Sequence, residues 1–227
     1  MAVHDKPSQR KLPAWMTLNA EGENEQFTHD TNENPNLSFM GTVHYCRTEK
    51  ECGRACESLM KQVETQEELV IGFDMEWPVH FKTGSGKTAL IQICAEEQTC
   101  YLFHVSCMRS LPEAFVHLLK HPKFKLVGVN IKNDLWKLSR DFGITVKPLI
   151  ESRVVDLGEL ANETLRSGQR WSLDRLVLHV LKMRLDKNDL IRKSDWRMET
   201  LSAVQQCYAA TDAYASLLLY NYIKMNP

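Results

Sequence analysis

Val70-Ile71-Gly72-Phe73-Asp74-Met75-Glu76-Trp77 decides how the rest of this chain is read. Branched and aromatic residues predominate, which predicts a strand. Residues two apart on a strand share a face, so Asp74 and Glu76 project together from a buried-looking element. Two carboxylates this close repel, and burial adds to the cost. A divalent cation with oxygen ligands removes it. The alternative is that one acid reaches solvent at a sheet edge while the other pairs with a Lys or Arg. Asp-x-Glu alone leaves both readings open.

The 227 residues fit one large domain or a domain with appendages. A hydrophobic fraction of 43% supplies a core, and 25% charged residues are ordinary for a soluble protein. No apolar run is long enough to span a bilayer, and Met1–Arg10 lacks the apolar core of a secretory signal, so no membrane partner is expected. A net charge of −1 argues against a non-specific nucleic-acid coat but allows a nuclease, whose acids offset a basic surface. Seven cysteines without a Cys-x-x-Cys pair point to a reduced, intracellular compartment. His44, Cys46, Cys52 and Cys56 match no common zinc spacing, and small buried thiols are expected there.

Residues 1–37 are polar and predict a mostly disordered N-terminal segment, with the domain itself at 38–227. Within that segment Arg10-Lys11-Leu12-Pro13-Ala14-Trp15-Met16 is either a short docking piece or a tail without a fixed place. Phe39–Cys46 reads as a strand, and Thr48 with Glu51 forms a capping box for a helix to about Val63. Gly84-Ser85-Gly86-Lys87-Thr88 resembles the end of a P-loop. It lacks the upstream glycine, since Phe81 stands there, and it opens Ala89–Cys94, which reads as a strand and not a helix. Gly84–Gly86 is therefore expected to be a hairpin turn, from which Lys82 and Lys87 could touch a phosphate backbone. With a further strand at Cys100–Val105, three successive strands suggest an antiparallel meander.

Alternating elements follow: a helix over Pro112–His121, a strand over Lys125–Val129, and a helix over Asn133–Phe142 stopped by Gly143. This pattern predicts an α/β fold, a mixed sheet flanked by helices. Asp134 sits at a strand-to-helix junction. It is either a favourable acid at a helix start or a third carboxylate at the end of the sheet where ligands bind. A last strand is expected at Val154–Leu157, with Asp156 in it, followed by helices over Leu157–Arg166, Leu173–Lys182 with Ser172 as cap, and about Leu201–Lys224. Arg166, Arg170, Lys182, Arg184, Lys187, Arg192, Lys193 and Arg197 make a basic region around Trp171 and Trp196, either a solvated surface or a phosphate-contacting one. On the final helix Tyr208 and Asp212 share a face, four residues apart, among small residues that allow close packing on a sheet.

Asp74, Glu76, Asp134 and Asp212 with Tyr208 form the composition needed for two-metal hydrolysis of a phosphodiester. Phe73-Asp74-Met75-Glu76-Trp77, Asn130-x-x-x-Asp134 and Tyr208-x-x-x-Asp212 resemble the three motifs of the DEDD-type 3′–5′ exonucleases, related to ribonuclease D. The histidine version would carry His at the position of Cys207, so the chain resembles the tyrosine branch. More narrowly it is similar to Werner-type exonuclease domains. The segments that carry this include Ala89-Leu90-Ile91-Gln92, Tyr101-Leu102-Phe103-His104-Val105-Ser106, Trp171-Ser172-Leu173 and Tyr208–Ala215.

The resemblance implies a ribonuclease-H-like single domain that uses Mg2+ or Mn2+, two ions per site, and releases 5′-mononucleotides from accessible DNA 3′ ends. RNA trimming of the ribonuclease D kind and a non-catalytic nucleic-acid-binding module are the alternatives. By the same resemblance Asp74 bridges both ions, and Glu76 and Asp212 complete the site of the water-activating ion. Asp134 supports the second ion, Tyr208 orients the attacking water, and Trp136, Lys137 and Arg140 are candidates for substrate contact. A nuclear location and a part in DNA repair or replication are likewise implied. The resembling Werner-type proteins carry a helicase after the nuclease. This chain stops at Pro227, so a stand-alone nuclease is the expectation, with Thr200 as cap of the last helix.

Overall fold

The strand read from Val70–Trp77 exists and sits at the centre of the molecule. A computed structural model describes residues 34–80, 84–186 and 188–226, which belong to one compact unit, Asn34–Pro227. Of the expected N-terminal segment, residues 1–33, including Arg10–Met16, lie outside the described residues, as do Lys82 and Lys187.

In chain order the main sheet uses β2 (Thr42–Cys46), β3 (Leu69–Glu76), β6 (Leu90–Glu96), β7 (Thr99–Phe103), β8 (Phe124–Gly128) and β9 (Val154–Asp156). Their spatial order is β2-β7-β6-β3-β8-β9. The meander β3-β6-β7 is antiparallel, as the short connections predict, while β2, β8 and β9 pair in parallel with their neighbours. The result is the expected mixed α/β sheet. Two small parallel or antiparallel pairs lie outside it: β1 (Asn36–Leu37) with β10 (Arg184–Leu185), and β4 (Val79–His80) with β5 (Gly84–Ser85). Gly84–Ser85 therefore form an arm of a hairpin, not its turn. A strand follows at Leu90, which leaves no helix N-terminus to hold a phosphate.

The two faces of β3 do different work. Ile71, Phe73 and Met75 join an apolar cluster with α1 (Glu49–Glu64) and α2 (Glu113–Lys120), through Cys52, Cys56, Leu59, Phe115 and Leu118. The opposite face carries Gly72, Asp74 and Glu76 toward α8 (Ala203–Met225). A Cβ at Gly72 would lie 2.0 Å from the Ala213 carbonyl oxygen, so only glycine lets this helix approach so closely. Ala209, Ala210, Ala213 and Ala215 are fully buried for the same reason.

Thr48 and Glu51 make the capping box of α1 as expected. At the start of α8 Ser202 and Gln205 form the capping box, not Thr200, because the helix begins two residues later than the apolar pattern suggests. Ser172 precedes α6 (Leu173–Leu176) without a side-chain capping bond, and that helix widens into a π turn over Val177–Leu181. A helix over Lys147–Arg153 (α4), with Pro148 in its first turn, is not apparent from periodicity, being too short to show one. The seven cysteines are free, and Cys46, Cys52 and Cys56 are buried thiols.

Candidate active site

β3 delivers Asp74 and Glu76 at its C-terminal end, and α8 lays Asp212 over them. One ligand oxygen from each of Asp74, Glu76 and Asp212 lies within 4.8 Å of the others, the one such group of acids, histidines or cysteines among the described residues. The alternative in which one acid of the pair is neutralised by a Lys or Arg salt bridge is not what the described residues show, since no such bridge to Asp74 or Glu76 exists among them. Asp134 lies in the first turn of α3 (Ile131–Phe142), largely buried. It stands beyond this tight trio but close enough for Asp74 to act on its charge. Asn130, which starts that helix, has a left-handed backbone (φ 60°), and its side-chain Oδ1 accepts from Asn133 Nδ2 at 2.6 Å. A non-glycine residue there marks a junction set by its surroundings. Asp156, at the end of β9, is used otherwise: its carboxylate caps α5 (Leu157–Leu165) through the Gly158 and Glu159 amides.

Burial pushes the Asp74 carboxyl up to about 7. Burial, then the charges of Asp74 and Asp156, push Asp134 up to about 8. Glu76 and Asp212 are raised well above the carboxylate range, by burial first and by the neighbouring acids second. Tyr208 stands beside Asp212 on the same face of α8 and favours its charge, while burial and the surrounding acids raise the phenol's own pKa, so it keeps its proton. Four acids in one low-dielectric place are mutually unfavourable as anions. An all-oxygen donor set of this kind fits a hard divalent cation such as Mg2+ or Mn2+.

The other candidates separate by exposure. Trp136 is 41% exposed and Arg140 is exposed beside it, both on α3. Lys87 is exposed with its ammonium 4.3 Å from the Phe142 ring centre. Lys137 is not a free cation. It is buried, its Nζ donates to the Gly86 carbonyl at 2.6 Å, pairs with Asp141 at 3.0 Å and lies over the Trp77 ring. Asp141 in turn accepts from the Thr88 amide and hydroxyl, both at 2.7 Å. Burial alone would raise the Asp141 carboxyl, but these bonds and Lys137 hold it below its usual value. The pair ties the loop before β6 to α3, so the Lys137 ammonium already has protein partners here. In the basic region Trp196 is fully buried and cannot stack on a base.

Two contributions to the site are not legible in the motifs. Arg192, on α7 (Asp189–Arg192), is the cation whose charge favours ionised Glu76, although its guanidinium also pairs with Asp189 at 2.9 Å. Its place in a run of basic residues hid it, because the site is reached only by folding. The second is a buried relay. Tyr45 Oη accepts from the Leu201 amide at 3.1 Å and lies 2.6 Å from His104 Nδ1. His104 Nε2 is 2.9 Å from the Trp196 carbonyl, which can only accept, so Nε2 carries the hydrogen. Burial lowers the His104 pKa, leaving Nδ1 to accept from Tyr45. The Trp196 indole donates to the Arg192 carbonyl at 3.2 Å, and its ring lies 6.2 Å from that of Tyr208. The relay thus fixes the segment that carries Arg192 and backs Tyr208. Its partners are 59 and 92 residues apart, beyond any local signal.

The 3′–5′ exonuclease family model matches residues 43–226. A 3′–5′ exonuclease of Drosophila melanogaster is 42% identical over 189 residues, 82% of this chain and 53% of that protein. The Drosophila mojavensis 3′–5′ exonuclease is 40% identical over 194 residues, 84% of this chain and 59% of that protein. The chain thus spans somewhat over half the length of these curated relatives. Among solved structures, the Nibbler EXO domain of Aedes aegypti superposes with a TM-score of 0.66 at 20% identity, covering 83% of this chain and 91% of that one. The catalytic core of RRP6 from Trypanosoma brucei (mutant C496S) superposes with a TM-score of 0.65 at 21% identity, covering 86% and 50%. At such identities these two likenesses show the fold alone.

Proposed function

The chain belongs to the 3′–5′ exonuclease family, and from that membership we propose that it removes 5′-mononucleotides from DNA 3′ ends, as a member of the Werner-like tyrosine branch. The observation that carries the chemistry is the convergence of Asp74, Glu76 and Asp212 within 4.8 Å, with Tyr208 beside Asp212. Asp74, Glu76 and Asp212 would supply the oxygens that hold Mg2+ or Mn2+, with Asp134 as a fourth acid near Asp74. Such ions, when bound, lower the pKa of a water and offset charge on the leaving oxygen. Tyr208 keeps its proton and orients the nucleophile through its O–H. Arg192 faces the acids and favours an arriving phosphate. Trp136 and Arg140 stand exposed on α3, the helix that carries Asp134 in its first turn, where a strand end can lie against them.

The branch assignment rests on Tyr208 and on Cys207 at the position a histidine would occupy. The preference for DNA, a nuclear location and a part in DNA repair or replication belong to the same reading, on the strength of the sequence resemblance. The catalytic acids themselves do not sense a 2′-hydroxyl.

The test is product analysis on a 3′-recessed DNA duplex and on the same duplex with an RNA recessed strand, in Mg2+, Mn2+ or chelator. Metal-dependent laddering from the DNA 3′ end, absent with Asp74→Ala and Glu76→Ala together, is the expected result. Preference for the RNA strand would transfer the same mechanism to RNA trimming. No laddering on either strand would sink the catalytic reading.

A further inference from the structure

Gln92 is fully buried at the middle of β6, and neither its Oε1 nor its Nε2 has a hydrogen-bond partner among the described residues. An amide with both ends unpaired inside a protein is costly, and a leucine of similar size would avoid the cost. Position explains what composition does not. Gln92 is the register partner of Asp74 across the antiparallel β3–β6 pair. Directly opposed residues project to the same face, with Cβ atoms about 4.5–5.5 Å apart. Gln92 therefore stands on the α8 face of the sheet beside Asp74, whereas Ile91 and Ile93 turn to the other face and join the apolar cluster. Along its own strand the same-face neighbours are Leu90 and Cys94, and the helix above offers buried alanines. The charged group directly opposite it in the register is the Asp74 carboxylate.

We propose that Gln92 is a positioning residue for Asp74. Its Nε2 donates to one carboxylate oxygen when Asp74 holds a divalent cation, and so keeps the other oxygen toward Glu76 and Asp212. This rests on the reading of those three acids as cation ligands. It assigns to an orphaned amide the task that outer hydrogen-bond partners perform at metal centres, orienting the ligand and favouring its charged form.

The test uses Mn2+ alone as probe, with the full chain. Titration calorimetry measures its dissociation constant, and thermal unfolding in chelator measures the metal-free protein, for wild type, Gln92→Leu and Gln92→Met. The expected result is a Mn2+ dissociation constant raised about tenfold or more in both variants, with a chelator Tm equal to or above wild type. A merely structural amide moves the chelator Tm down instead. An unchanged dissociation constant in a folded Gln92→Met overturns the proposal, as does weaker binding that only tracks a lower chelator Tm. Asp74→Asn separates the two levels of the argument. If wild type binds Mn2+ and Asp74→Asn binds it equally, the ligand reading fails and the Gln92 inference fails with it. If Asp74→Asn alone loses binding, the ligands stand and only the role of Gln92 is refuted.

Discussion

Tyr208 shows how one residue's chemistry follows from its place. A phenol on an exposed helix turn would be an ordinary polar contact. Here burial and the charges of Asp212, Glu76 and Asp74 keep it protonated, with its O–H as a donor beside those acids. Tyr208→Phe is therefore expected to lower kcat about 10²-fold or more, with Mn2+ binding and Tm close to wild type. A kcat within twofold of wild type would remove Tyr208 from the chemistry. Lys137 teaches the reverse. Its spacing after Asp134 invites a role in substrate contact, yet the neighbouring Gly86 carbonyl, Asp141 and Trp77 consume its ammonium. A charge written in the sequence is available to a ligand only if nothing nearer claims it.

At the scale of the element, α8 and β3 set the site because they come unusually close. The contact depends on Gly72, where an added methyl would meet the Ala213 carbonyl and the Leu217 amide at 2.0 and 2.8 Å. Gly72→Ala is expected to cost at least about 1–3 kcal/mol by overpacking and to weaken Mn2+ binding, because Asp212 rides on the displaced helix. Urea unfolding with a parallel Mn2+ titration measures both. A well-folded variant with wild-type stability would show that the helix approach is softer than its geometry suggests. The start of the same helix offers a discriminating pair. Ser202→Ala is expected to cost about 1 kcal/mol through loss of the capping bond to Gln205, whereas Thr200→Ala is expected to be nearly neutral. Equal losses at both positions would contradict the observed cap.

For the whole molecule the acidic cluster makes stability depend on pH and on metal together. In chelator, folded Asp74 holds its proton up to about 7 and Asp134 up to about 8. The unfolded chain releases both near about 4. Between these limits the folded state binds more protons, so the stability owed to these groups is full below about 4 and is lost as pH rises toward 8. His104, held neutral by burial, acts in the opposite sense near its ordinary value of about 6.5. Comparison with Asp74→Asn isolates the acids: in chelator its Tm is expected to climb relative to wild type from pH 5 to pH 8. The Tm increment from Mn2+ in wild type should also be larger at pH 8 than at pH 5. A Tm difference independent of pH would mean that Asp74 ionises freely in the metal-free protein.

Much of this was legible before folding, for a physical reason. Period-2 and period-3.6 patterns, caps and glycines are local, so β3, the β3-β6-β7 meander, the α1 capping box and the stop of α3 at Gly143 could be read from neighbours in the chain. Acids at apolar positions are costly wherever they lie, so Asp74, Glu76 and Asp212 stood out from sequence alone. The tertiary structure decided what depends on partners far along the chain. It set Asp134 outside the tight trio, brought Arg192 into the field of Glu76, and spent Lys137 on a loop. It also buried Trp196 under Tyr208 through the Tyr45–His104 relay, and left Gln92 unpaired opposite Asp74. Spacing along a chain says which side chains share a face. Only the packed molecule decides which of them already have a partner.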